Sequence, residues 1–159
     1  MIDITFRNMT EQEFAQYSTG AVADYAEILV KVDHATEDNA SEYESAMFAA
    51  VLPGGFYTEG ASFYVIVNSK NEEVGTTCFK ERQSGVALIM DIMTKEQFRR
   101  QGYGRKALAL IEEELISRGF KAIVLNVFEY NTGAKALYES CGYAVLEANQ
   151  GAIAMMKNL

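Results

Sequence analysis

The sequence predicts an α/β domain with the element order βααβββαβαββ, a mixed central sheet flanked by helices. Three observations predict it. Apolar spacing is helical from residue 11 to about residue 52 and becomes strand-like from residue 62 onward. A nearly all-apolar run, Val86 to Met93, reads as a central strand covered on both faces. That run leads through a basic, glycine-containing turn into an amphipathic helix. The chain has 159 residues and no internal repeat, the size of one ordinary domain, so 1–159 is taken as a single domain.

Each element has a local reason. Met1 to Phe6 lacks a basic region followed by an apolar stretch, so it reads as a first strand rather than a signal peptide. Thr10, with Glu13 three residues on, makes a capping box for a helix from Glu11 to Lys31, which Gly20 could interrupt. Phe14, Tyr17, Ala21, Tyr25, Ile28 and Leu29 fall largely on one side of it. Ser41, with Glu44, caps a second helix that runs to about Leu52, before the loop Leu52-Pro53-Gly54-Gly55. Strands follow at Ser62–Asn68, Glu73–Lys80 and Val86–Met93. Gly104 to Arg118 is a helix with Ala107, Leu108, Ile111 and Leu115 as its apolar stripe, ended by Gly119. Ala122–Phe128 is a buried strand and Asn131–Cys141 a helix stopped by Gly142. Tyr143–Leu146 and Ala152–Lys157 form a last strand pair around Asn149-Gln150-Gly151.

Composition removes several function classes. Net charge is −8, which argues against nucleic acid or an anionic membrane as the main partner. No apolar run approaches the roughly 20 residues needed to cross a bilayer. Cys78 and Cys141 form no C-x-x-C pair and His34 is the one histidine, so no metal site is expected. Two buried thiols and a cytoplasmic location are the expectation. The charge is uneven: Lys95, Arg99, Arg100, Arg105 and Lys106 fall in one short segment whose one acid is Glu96. A basic island in an acidic chain suggests a local anionic ligand.

That island contains Phe98-Arg99-Arg100-Gln101-Gly102-Tyr103-Gly104-Arg105, between the apolar strand and the amphipathic helix. A glycine turn at a helix start leaves main-chain N–H groups unpaired beside the positive end of the helix dipole. Glycines let a phosphate approach closely, and arginines add directed donors. The stretch therefore reads as a pyrophosphate cradle, against the plainer reading of a tight turn with solvated arginines. A dinucleotide fingerprint would need a third glycine, and no Gly-Lys-Ser or Gly-Lys-Thr of a P-loop occurs.

Arg99-Arg100-Gln101-Gly102-Tyr103-Gly104 resembles the R/Q-x-x-G-x-G/A signature of GNAT acetyltransferases. Asn131-Thr132-Gly133-Ala134-Lys135-Ala136-Leu137-Tyr138-Glu139-Ser140-Cys141-Gly142-Tyr143 resembles their second motif, N-x-x-A-x-x-L-Y-x-x-x-G-F/Y. Order and separation are family-like, and the Leu52-Pro53-Gly54-Gly55 loop looks like one in a bacterial subgroup of small GNAT proteins. The resemblance implies a GNAT-type acyl-CoA N-acyltransferase fold and acetyl-CoA as co-substrate, with no metal. It implies that the main chain of Ile92, Met93 and Thr94 pairs with the pantetheine arm. By the same resemblance the N–H groups of Gln101 to Arg105 hold the pyrophosphate, with Arg99 and Arg100 beside them. Asn131 hydrogen-bonds the pantetheine next to Ala134, or is a plain helix N-cap, or both.

Tyr138 matches the tyrosine that the family often uses as general acid toward the departing thiolate; the plainer alternative is a packed ring. The glutamate that the family commonly places on its central strand has no counterpart in Val86-Ala87-Leu88-Ile89-Met90. Asp91 is the first candidate for base or amine anchor, against a purely structural acceptor; Glu81 is weaker, and His34 reads as a helix-end residue. Eight acids lie between Asp24 and Glu59 against one base, Lys31. By resemblance this region borders the acceptor, so the acids suit a cationic small-molecule or peptide amine, or else a solvated surface. Dimers are common in the family, though no residue here demands a homodimer. The expected function is acetyl transfer to a primary amine; the other readings are a non-catalytic acyl-CoA sensor and an interaction domain.

Overall fold

The structure, a computed structural model, describes residues 3–32, 36–149 and 151–159. Asp33, His34 and Gln150 lie outside the described residues. The elements follow the expected order: β1 (Ile4–Asn8), α1 (Glu11–Lys31), α2 (Ala40–Val51), β2 (Ala61–Asn68), β3 (Glu73–Gln83), β4 (Val86–Thr94), α3 (Tyr103–Ser117), β5 (Ala122–Phe128), α4 (Thr132–Ser140), β6 (Ala144–Asn149) and β7 (Ala152–Asn158). Two compact units contain them, Met1–Asn8 with Ser62–Leu159, and Met9–Ala61.

The smaller unit holds α1 and α2. Thr10 Oγ1 accepts from the Glu13 N–H (3.1 Å) and the Thr10 N–H donates to Glu13 Oε1 (2.9 Å), completing the capping box. Such a cap stabilises a helix start by about 1 kcal/mol. Gly20 does not interrupt α1: the burial of Phe14, Ala21, Ala26 and Leu29 outweighs the roughly 1 kcal/mol that a mid-helix glycine costs. Ser41 is not the cap of α2. Asn39 stands there, and its Oδ1 accepts from the Thr36 N–H (2.9 Å) instead of from the helix. The turn from Thr36 already supplies a helical bond, Ala40 N–H to Thr36 O (2.9 Å), so the helix starts two residues early. Phe14 gathers Tyr17, Phe48 and Phe56 around it, with ring centroids 5.7–6.4 Å away.

The larger unit is a seven-stranded mixed sheet in the order β1-β2-β3-β4-β5-β7-β6. Its main core packs Leu108, Ile111 and Leu115 of α3 against Phe79, Ile89, Ile123, Leu125 and Met155 of the strands. All four residues of the expected α3 stripe are buried; burying each leucine or isoleucine contributes about 2 kcal/mol.

β4 departs from its expected character in a way that makes room for a site. Ala87 and Ile89 are buried, but Met90 to Thr94 are only half-buried, so its far half is not covered on both faces. The cause is a bulge. Cys78 pairs with Asp91 and Phe79 with Ile89, leaving Met90 as an extra residue on β4. The parallel pairing of β4 with β5 ends there, at Ile89 opposite Leu125, although both strands continue. Beyond that point β5 is bonded to β7 alone, through Asn126, Val127 and Phe128. Gly75 fixes the other edge of β4, because a side chain there would overlap the Met93 carbonyl oxygen.

Candidate active site

Against the far half of β4 lies a cavity of about 390 Å³ lined by Ile92, Met93 and Thr94 of β4, Arg99 and Gly104 at the start of α3, and Gly133, Ala134, Leu137 and Tyr138 of α4. Residues from both sequence motifs and from the central strand thus meet around one space. Gly133 and Leu137 lie within the second motif, Leu137 at one of its fixed positions, but the sequence assigns neither a site role; their i, i+4 spacing puts them on one side of the helix.

The turn into α3 has the main-chain geometry of an anion cradle. Gly102 has φ +91°, and Arg100, though not a glycine, has φ +59°. A non-glycine residue in that region is strained, and such strain concentrates at functional sites. The first helical bond of the turn is Lys106 N–H to Gly102 O (3.1 Å). No hydrogen bond from the main-chain N–H groups of residues 100–105 is found among the described residues. A Cβ at Gly104 would approach only Leu137 Cδ2, at 3.6 Å, so the turn is open on that side.

The side chains of this stretch divide. Arg99 Nε donates to Thr94 O (3.0 Å) and so braces the end of β4. Gln101 donates to Gln97 O (3.0 Å). Tyr103 packs edge-on against Phe98 in a second core cluster that includes Ile66 and Ala107. Arg105 reaches to α4, donating to Ser140 Oγ (2.8 Å) and Cys141 Sγ (3.4 Å). The positive charge expected beside the cradle is therefore partly directed elsewhere.

Asn131 is the exposed N-cap of α4: its Oδ1 accepts from the Ala134 N–H (3.2 Å), and its amide NH₂ is not used in that cap. Tyr138 packs against the main core, its ring 6.0 Å from that of Tyr143 in an edge-to-face arrangement. Burial, and then the negative charge of Asp91, hold its phenol above the usual pKa near 10.0. Asp91 is half-buried on β4 just past the bulge, and its main-chain oxygen accepts from Thr77 Oγ1 (2.8 Å). It lies close enough for its charge to be felt by both Tyr138 and Cys78. Glu81 is exposed on β3, outside the cavity lining. Of the two cysteines only Cys78 is fully buried; Cys141 is half-exposed because it ends α4 at the surface, beside Arg105.

The smaller unit has its own cavity, about 420 Å³ between α1 and α2, with Glu27, Glu37 and Lys31 among its lining. Among the described residues, no group of three or more His, Cys, Asp or Glu side chains is arranged to hold a metal ion. No helix among them is long and apolar enough to cross a membrane.

A sequence profile of the Acetyltransferase (GNAT) family matches residues 25–143. The chain belongs to the GNAT family. It is 29% identical over 138 residues to the uncharacterized N-acetyltransferase YycN of Bacillus subtilis, covering 85% of this chain and 88% of the relative. YdgE of the same organism, also described as an uncharacterized N-acetyltransferase, is 27% identical over 144 residues, with 89% and 92% coverage. The crystal structure of YycN superposes with a TM-score of 0.86 at 27% identity, covering 92% of this chain and 96% of YycN. The PaiA N-acetyltransferase of Thermoplasma acidophilum, solved in complex with coenzyme A, shares the fold at a TM-score of 0.69 and 14% identity, covering 99% of each chain. This GNAT protein is an acyltransferase with the acetyl-CoA-dependent chemistry general to its family.

Proposed function

We propose that this GNAT protein moves an acetyl group from acetyl-CoA to a primary amine by direct attack, with Tyr138 as general acid. The observation that carries the reading is the single cavity in which Tyr138, the far end of β4 and the start of α3 meet. We take 1–159 as one catalytic domain, supported by a family match that runs through both compact units.

The residues present suit the co-substrate. Free N–H groups from Gln101 to Arg105 would hold the pyrophosphate, and the positive end of α3 favours an anion there. The half of β4 that pairs with β3 but not with β5, Ile92 to Thr94, would offer its free side to the pantetheine amides, and the Asn131 NH₂, next to Ala134, would add a donor. Bound acetyl-CoA supplies an activated thioester. The C–N bond forms as the C–S bond breaks, the electron pair leaves on sulfur, and Tyr138 gives sulfur its proton. The raised phenol pKa keeps that proton in place at neutral pH. Asp91 is not itself among the cavity's lining residues but precedes the lining residue Ile92, and its charge reaches Tyr138; we read it as the carboxylate that anchors the amine or takes its proton.

The acceptor is read as an amine with at least one further positive charge. Asp24, Glu27, Glu37, Asp38, Glu42 and Glu59 are all exposed, and Glu44 is half-buried with its pKa raised by that burial. A thiol-release assay across neutral, anionic and cationic amines tests both parts. Turnover should be best with a cationic amine, and its KM should rise with salt, since the Debye length is only about 8 Å near 0.15 M. Reversing Glu42 and Glu44 together to lysine should raise that KM with little change in kcat. A neutral or anionic best substrate, or a KM indifferent to salt and to the double reversal, would make the acids a solvated surface.

A further inference from the structure

Arg105 occupies two places at once. Its main-chain N–H belongs to the free run at the start of α3. Its guanidinium turns away from that run and bridges 35 residues along the chain to Ser140 Oγ (2.8 Å), with Cys141 Sγ at 3.4 Å. Ser140 Oγ in turn donates to Leu137 O (2.7 Å), the carbonyl of the peptide link that leads into Tyr138. Leu137 O also accepts from the Cys141 N–H (3.1 Å). A cation at this point faces the negative end of the α4 dipole, a favourable placement. A Cβ added at Gly104 would lie 3.6 Å from Leu137 Cδ2, so the start of α3 and that side chain are neighbours.

We propose that Arg105 is a positioning residue. Its bridge to Ser140 and Cys141 ties the turn that receives the anion to the helix that carries Tyr138, so that filling the turn sets the place of the phenol. The idea rests on the proposed acetyl transfer but assigns Arg105 a task other than binding phosphate. It also predicts little structural consequence of cutting the tether, because exposed charged contacts contribute little to stability.

The test uses Arg105→Gln, Ser140→Ala, their combination, and Arg105→Lys in the full chain. Acetyl-CoA and the best amine of the panel give kcat and KM; calorimetry gives the Kd of coenzyme A; hydrogen exchange follows the amides of residues 138–142 with and without coenzyme A. Each single variant should lose about tenfold in kcat, less than the hundredfold that an ångström of misplacement can bring, with KM and Kd for the coenzyme nearly unchanged. The double variant should be no worse than the poorer single one, because both remove one link. Arg105→Lys should recover part of the loss. Coenzyme A should slow exchange at residues 138–142 in the parent and not in Arg105→Gln; where turnover is too slow to follow, this readout decides. A raised Kd with unchanged kcat would make Arg105 an anion ligand and overturn the proposal. Multiplicative losses, or variants that match the parent in both kcat and exchange, would overturn it too. A parent chain that binds no coenzyme A removes the acetyl-transfer reading and this proposal together. A parent that binds and turns over beside indifferent variants removes this one alone.

Discussion

Gly104→Asp is expected to fold like the parent chain and lose coenzyme A affinity by about a hundredfold or more, near 3 kcal/mol. Gly104 is the second residue of α3. An added Cβ would make only ordinary contact with Leu137 Cδ2 at 3.6 Å, so there is room for the side chain. A carboxylate in the first turn of a helix is itself favourable, by about 0.3–1 kcal/mol, so the melting temperature should hold or rise. The same carboxylate would place negative charge where the free N–H groups would receive the pyrophosphate. Gly104→Ala separates bulk from charge and should lose less than about tenfold. Gly102→Asp should also weaken binding severely, but with φ at +91° it adds about 1–2 kcal/mol of backbone strain and would confuse folding with affinity. Calorimetric titration beside thermal unfolding reads both quantities. A folded Gly104→Asp protein that binds coenzyme A as the parent does would end the cradle reading.

Tyr138→Phe should bind acetyl-CoA nearly unchanged and lose about 10²-fold in kcat, the scale of one general acid. The ring contacts with Tyr143 and the core survive the change. Among the described residues the Tyr138 hydroxyl makes no hydrogen bond, so its removal leaves no partner stranded and stability should move by less than about 0.5 kcal/mol. The pH dependence carries a sign. An acid must hold its proton, and burial with the nearby Asp91 charge raises this phenol above 10.0. Loss of kcat through ionisation of Tyr138 should therefore fall on the alkaline side of where an ordinary phenol would ionise, and a limb near neutral pH belongs to another group. An unchanged kcat in Tyr138→Phe, under conditions where chemistry limits the rate, would reduce Tyr138 to packing.

Element order and the two motif segments were legible in the sequence because each rests on local chemistry. Thr10 and Glu13 announce a helix start, and Ala107, Leu108, Ile111 and Leu115 announce a buried face. Ser41 misled because a good cap residue is not a cap when the turn before it already supplies the first helical bond. The direction of the Arg105 side chain was not legible, since its partner is 35 residues away and chosen by packing. Met90 was silent for a different reason: an apolar residue among apolar residues carries no mark of being unpaired.

Met90 creates the opening by being one residue too many, and its chemistry is incidental to that. Substituting Leu or Ile there leaves the count intact, so the opening should tolerate either. Deleting a single residue between Ile89 and Asp91 would instead let β4 run on in step with β3, and could close it against β5. The pocket of this acetyltransferase is, in that sense, written in the length of a strand, where a change of spelling is harmless and a missing letter is not.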